Sequence, residues 1–240
     1  MLKVEGLHTY YGRAHILFDV AFEVAAGEVV VLLGRNGAGK STTLKSIMGL
    51  VPPARGRIFF RNQDIAGWPP FQIARLGLGY VPEDRRIFAE LTVQENLEVG
   101  RRERPAPAEA GGAGAPLWTP ERLFALFPNL AGLRGRSAAQ ISGGEQRMLS
   151  IARTLMGNPS FLLLDEPSEG LAPLIVEQMA STILDLKRQG LTVLLSEQNL
   201  NFARAVADGA LIIEEGRIRF AGSMAELMAD AAVRAQYLSL

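Results

Sequence analysis

Glu28-Val29-Val30-Val31-Leu32-Leu33-Gly34-Arg35-Asn36-Gly37-Ala38-Gly39-Lys40-Ser41-Thr42 is an apolar run that ends in the pattern G-x-x-x-x-G-K-S. An apolar strand entering a glycine-rich turn, with a helix to follow as far as Met48, is the P-loop arrangement. Glycines let backbone N–H groups turn inward and approach phosphate oxygens with no Cβ in the way. Lys40 can reach the β- and γ-phosphates, and Ser41 can offer a hydroxyl to Mg2+. The helix points its positive end at the same anion. Asn36, Gly37, Gly39, Lys40, Ser41 and Thr42 are therefore the expected triphosphate contacts, with a nucleoside triphosphate and Mg2+ the expected ligands. The bland alternative, a ligand-free turn between strand and helix, leaves the full motif unused.

Downstream, Phe161-Leu162-Leu163-Leu164 runs into Asp165-Glu166. Two acidic residues at a strand end are common, but a P-loop needs a carboxylate to hold the metal and a group to position water. Asp165 is the expected Mg2+ ligand, and Glu166 the residue that orients or deprotonates the water. No acceptor site for a kinase announces itself, so hydrolysis is the expected reaction. A third string, Ile141-Ser142-Gly143-Gly144-Glu145-Gln146-Arg147, has the S-x-x-E spacing of a capping box. Read minimally it is a well-capped helix. Ser142, Gly143 and Gly144 also leave N–H groups at a helix N-terminus, which is a second anion site.

The bulk properties narrow the class. The chain has 240 residues, enough for one large domain or one with an insert, and 48% of them are hydrophobic. Lys+Arg and Asp+Glu each number 25, so no net charge argues for nucleic acid or acidic lipid. The absence of cysteine excludes disulfides, thiolate metal sites and a Cys nucleophile, and His8 and His15 are too few for a zinc site. No apolar run approaches the roughly 20 residues of a membrane span, and the start has no signal-peptide core. A cytoplasmic protein is expected, peripheral to the membrane if a membrane partner recruits it.

The expected fold is α/β. Short β-like runs at 2–4, 20–24 and 57–60 suggest an N-terminal antiparallel sheet. The runs at 29–33, 161–164 and 192–195 read as strands of a mostly parallel sheet buried on both faces. Pro173 starts an expected helix over 174–188; 210–213 and 218–220 suggest a hairpin, and 223–239 a helical tail. The whole chain reads as one nucleotide-binding domain, 1–240, with a helical subdomain inserted at about 84–157. Within it the Ala/Pro/Gly-rich stretch 101–117 is expected to be a flexible surface loop.

With Ile141-Ser142-Gly143-Gly144-Glu145 on the page, nearly the whole chain resembles the ATP-binding subunits of ABC transporters, whose signature reads L-S-G-G-Q. That resemblance implies two such subunits paired head to tail, the signature of one closing over the ATP on the P-loop of the other. It implies that Tyr11, before Gly12, stacks on adenine, with Tyr10 as the fallback. It also places Glu83, in Val81-Pro82-Glu83, where the family commonly has a Gln that senses Mg2+ and the membrane partner; Glu83 could ligate the metal. Gln198, in Ser196-Glu197-Gln198-Asn199, stands in place of a switch histidine. Ala172 lacks the carboxylate that usually ends the loop at Glu169-Gly170-Leu171-Ala172.

These departures, with Val233-Arg234-Ala235-Gln236-Tyr237-Leu238 near the end, resemble the LivF type of branched-chain amino acid importers. The urea-importer ATPase is a close alternative, and an exporter ATPase or a soluble ABC-type ATPase are more distant ones. The resemblance implies transmembrane permease subunits, a second ATPase subunit in a heterodimer (a homodimer being possible in isolation), and indirectly a substrate-binding protein. Because Gln198 cannot titrate near neutrality, a weak pH dependence of turnover between about pH 6 and 8 is expected.

Overall fold

The first three strands, β1 (Leu2–Tyr11), β2 (Ala14–Val24) and β3 (Val29–Leu33), follow one another through short turns yet enter two different sheets. The computed structural model describes residues 1–102 and 117–238. β1 and β2 pair antiparallel with β4 (Arg55–Phe60) and β5 (Gln63–Asp64) in the order β2-β1-β4-β5. β3 joins β6 (Leu78–Val81), β7 (Phe161–Asp165), β8 (Thr192–Glu197), β9 (Gly209–Glu214) and β10 (Arg217–Ser223) in the order β10-β9-β3-β8-β7-β6. Only the β9–β10 hairpin is antiparallel in that sheet. The fold is thus the expected α/β core with an antiparallel sheet beside it. β1 and β2 run longer than their apolar runs suggested.

Alternate side chains of the central strands feed two separate cores. Val29, Val31 and Leu33 of β3, with Leu162, Leu164, Val193 and Leu195, lie in one buried cluster. Val30 and Leu32, with Phe161, Leu163 and Leu194, lie in the other. A strand buried on both faces cannot alternate with polar residues, which is why these runs are continuously apolar. Helices α6 (Gly143–Leu155), α7 (Pro173–Arg188) and α8 (Leu200–Val206) contribute to the first core. The antiparallel sheet and α1 (Lys40–Ile47) cover the second, through Leu2, Leu7, Leu17, Ile58, Leu44 and Ile47. Each such side chain contributes about 1.5–3 kcal/mol on burial.

The remaining helices are α2 (Pro70–Arg75), α3 (Val93–Gly100), α4 (Pro120–Leu126), α5 (Pro128–Ala131), α9 (Met224–Ala229) and α10 (Ala231–Tyr237). A 3-10 turn, Ala138–Gln140, leads into α6. α3 ends tight against α6: a Cβ on Gly100 would lie 2.1 Å from the Arg153 carbonyl oxygen. The C-terminal tail is two helices rather than one, because Asp230 ends α9 and its carboxylate accepts from the Val233 N–H at 2.9 Å. The expected loop 101–117 lies, apart from its ends, outside the described residues.

Candidate functional site: the ends of β3, β7 and β8

Parallel pairing sets the ends of β3, β7 and β8 side by side, with Asp165 opposite Ser196 and Leu33 opposite Glu197. The turn after β3 is shaped by glycine. Gly37 and Gly39 have φ of 79° and 112°, and a Cβ on Gly34 would lie 2.4 Å from the Ile213 carbonyl oxygen. Gly39 is also the N-cap of α1, so no side chain caps this helix, and its first turn holds no acidic residue. The first N–H groups of α1 are left for an anion.

Lys40 is buried, and its Nζ donates to the carbonyls of Gly34 (2.9 Å) and Arg35 (3.0 Å). The same ammonium forms an ion pair with Glu166 Oε1 at 3.0 Å, the two side chains being 3% and 5% exposed. Gln198 Nε2 donates to Glu166 Oε2 and to Asn36 Oδ1, both at 2.8 Å. One carboxylate thus ties the P-loop, the end of β7 and the turn after β8 together. Glu166 itself has φ of 46°, a left-handed conformation uncommon outside glycine, and its N–H donates to Ser196 Oγ at 3.0 Å. Such backbone strain concentrates at functional sites.

Asp165 lies just behind. Its Oδ1 accepts from Ser41 Oγ (2.9 Å) and Ser196 Oγ (2.7 Å), and its Oδ2 from the Tyr80 hydroxyl (3.1 Å). Burial, then the charge of Asp165, push the Tyr80 phenol well above its ordinary range, so it stays a donor. Ser41 Oγ and Asp165 Oδ1 form an adjacent pair of hard oxygens, a donor set that fits Mg2+ completed by phosphate and water.

Four contributors escaped the sequence reading. Glu197 is buried, and its carboxylate accepts from the N–H groups of Ser168 (2.9 Å), Gln198 (3.2 Å) and Asn199 (3.4 Å). Arg147 donates to the carbonyls of Pro82 (3.0 Å), Asp165 (3.4 Å) and Glu166 (3.1 Å), linking α6 to the backbone of both acidic residues. Ser196 bridges Asp165 and the Glu166 N–H. The fourth is Glu169, which folds back under Glu166 (N–H to the Glu166 carbonyl, 3.3 Å). The weak signals were an acid ending an apolar strand and an arginine in a helix's first turns.

Glu166 and Glu169 divide their charge unequally. Burial pushes the Glu166 carboxyl up, but hydrogen bonds from Glu169, Lys40 and Gln198, with the Lys40 charge, outweigh it and hold it below the ordinary carboxylate range. The hydrogen bond to Glu166, then burial and the Glu166 charge, push the Glu169 carboxyl up to about 7. The group raised towards neutrality therefore sits in the loop after β7, while Gln198 itself carries no titrating proton.

The other expected residues stand apart from this cluster. Tyr11 ends β1 47% exposed, without a ring contact among the described residues, whereas Tyr10 stacks on His15 at 4.1 Å. His15 also bonds His8 (3.2 Å), so both histidines are structural neighbours of that hairpin. Glu83 is exposed in the loop after β6 and forms no hydrogen bond or ion pair among the described residues, the Ser41–Asp165 pair included. Thr42 is buried in α1. Ser142 caps α6: its N–H donates to Glu145 Oε2 (2.7 Å) and its Oγ accepts from the Glu145 N–H (3.3 Å). Glu145, where the family signature has Gln, closes this box. Gly143 and Gly144 keep their N–H groups free of intrahelical partners. Ala172 precedes α7 and offers it no side-chain cap.

A sequence profile described as "ABC transporter" matches residues 17–169. The chain belongs to the ABC transporter family. It is an ATP-binding subunit of that family, an ATP-hydrolysing cassette. The ABC assignment extends over nearly the whole chain. The "High-affinity branched-chain amino acid transport ATP-binding protein BraG" of Pseudomonas aeruginosa is 42% identical over 238 residues, 99% of each chain. The "Lipopolysaccharide export system ATP-binding protein LptB" of Acidithiobacillus ferridurans is 37% identical over 240 residues, 99% of this chain and 96% of that one. Among solved structures, a nucleotide-free ATP-binding cassette from an ABC transporter superposes with a TM-score of 0.81 at 28% identity, covering 97% and 96% of the two chains. No helix among the described residues is long and apolar enough to cross a membrane.

Proposed function

We propose that this ABC subunit hydrolyses ATP to drive uptake of branched-chain or other hydrophobic amino acids. The observation that carries the import reading is the 42% identity to BraG over 99% of both chains. An export reading has its own support in the 37% identity to LptB. A urea or amide importer is a further variant of the import reading.

In the proposed reaction, Lys40 leaves Glu166 for the β- and γ-phosphate oxygens when ATP enters the P-loop. Glu166, stripped of its counter-charge but still held by Gln198, orients a water and accepts its proton as the oxygen attacks the γ-phosphorus. The bond from that phosphorus to the β-bridging oxygen breaks, and ADP leaves. Ser41 and Asp165 would hold Mg2+, which supplies charge neutralisation on the phosphates. The capped end of α6 on a second ATPase subunit closes over the γ-phosphate, so closure requires ATP and hydrolysis reopens the pair.

A groove of about 430 Å³ beside Tyr80 and Pro82, lined by Leu50, Phe88, Val99 and Arg153, is suited to a short cytoplasmic helix of a permease subunit. Such a partner would hold the protein at the inner membrane face. The test is a tagged pull-down from detergent-solubilised native membranes with partners identified by mass. Two multi-span permeases, a second ATPase and an amino-acid-binding protein support import. Recovery of lipopolysaccharide export components supports export, and ribosomes or nucleic acid without a membrane subunit refute transport.

A further inference from the structure

Glu197, the last residue of β8, is only 2% exposed, and its carboxylate forms no ion pair among the described residues. Burial pushes its carboxyl up, and hydrogen bonds from Ser168, Asn199 and Gln198 offset that only in part. A buried carboxylate without a counter-ion costs stability, a cost that an apolar side chain at this strand end would avoid. What the carboxylate secures is geometry.

Its two oxygens face different segments. Oε1 accepts from the Ser168 N–H at 2.9 Å, in the loop after β7 and 29 residues away along the chain. Oε2 accepts from the N–H groups of Gln198 and Asn199, in the turn after β8. Asn199 in turn caps α8, its Oδ1 accepting from the N–H groups of Asn201 (3.0 Å) and Phe202 (3.1 Å). Phe202 is buried in the first core. The backbone of Gln198 is therefore held from both sides, while its side chain spans the site from Glu166 to Asn36. A glutamine side chain has much rotamer freedom to lose, so its bond to Glu166 persists only where its backbone is fixed. Both oxygens of Glu197 are occupied by N–H groups, so Glu197 is not itself a base for water.

We infer that Glu197 is a positioning residue for hydrolysis: by tying the turn after β8 to Ser168, it sets the backbone of Gln198 so that this amide keeps Glu166 aimed when Lys40 turns to the phosphates. The inference rests on the role of Glu166 under "Proposed function". Glu197 acts through Gln198 and not on the reacting atoms.

The test is phosphate release and ATP binding by Glu197→Gln. The amide keeps the volume but turns an N–H donor towards backbone donors, so one segment loses its hold. kcat should fall about 10- to 100-fold, the effect of a small misplacement at the reacting centre. Affinity for a fluorescent ATP analogue should change less than about threefold, because Lys40, Ser41 and Asp165 are untouched. A Gln198→Ala background separates positioning from a general loosening of the fold. There Glu197→Gln should lower kcat by less than about threefold, because the residue it positions is gone. Unchanged kcat in the parent background, or an equal fall in both backgrounds, overturns the role of Glu197. If Glu197→Gln melts below the assay temperature, Glu197→Asp, which keeps the charge but reaches one methylene less, carries the same comparison. Turnover of Glu166→Gln within a few-fold of the parent overturns the reading of Glu166, and the inference with it. Loss of turnover there, with equal falls of Glu197→Gln in both backgrounds, removes Glu197 alone.

Discussion

Replacing Glu166 with glutamine separates binding from chemistry, because the carboxylate holds Lys40 in the cluster described here. The pair is buried at 3.0 Å, and a charged hydrogen bond of this kind contributes about 1.5–3 kcal/mol net. ATP must draw Lys40 away from it. Glu166→Gln keeps the side-chain volume and the Gln198 contact region but removes that competing charge. ATP should therefore bind about 10- to 150-fold more tightly. Loss of a proton-accepting group should at the same time reduce turnover by about 100- to 10,000-fold. Titration with a fluorescent ATP analogue reads the first effect, and phosphate release at saturating ATP the second. Turnover within a few-fold of the parent would remove Glu166 from the chemistry. Reduced turnover with unchanged affinity would keep Glu166 as the base but refute the exchange of Lys40 between carboxylate and phosphate.

Tyr11→Ala should weaken ATP binding by about 10- to 100-fold, the value of an aromatic–base stack, while Tyr10→Ala should do less because that ring packs on His15; a larger effect at Tyr10 in the same titration reverses the assignment. Glu169 is raised in the fold to about 7 from an ordinary 4.5, so the folded chain binds more protons than the unfolded chain between those values. Its contribution to stability is full below about pH 4.5 and lost as pH rises through 7. The melting temperature of the parent should therefore fall relative to Glu169→Gln between pH 5 and 8; parallel profiles would refute the raised Glu169 carboxyl. Gly216→Ala forces a Cβ to within 1.8 Å of the Ile16 carbonyl oxygen at φ of 72°, which should cost roughly 2–4 kcal/mol. Thermal melting should show a loss of about 5–15 °C, and an unchanged melt would mean that the turn between β9 and β10 approaches β2 less closely than described.

The sequence by itself determined the elements whose information is local. The glycine spacing around Lys40 and the apolar runs into Gly34 and Asp165 report backbone geometry and two-sided burial. The Ser142–Glu145 box and Pro173 mark helix starts. All of these are set by residues within one turn or one strand of each other. What the tertiary structure alone decided are relations between segments far apart in the chain. Lys40 meets Glu166, and Gln198 meets Asn36, because β3, β8 and β7 are neighbours in the sheet, an order that no local pattern encodes. Arg147 reaches the backbone of Asp165 and Glu166 only once α6 packs beneath that sheet. Glu169 drew no role from the sequence, and its importance comes from what folding sets beside it, the carboxylate of Glu166. Desolvation and proximity are properties of the assembled site, so they could not be read from the chain.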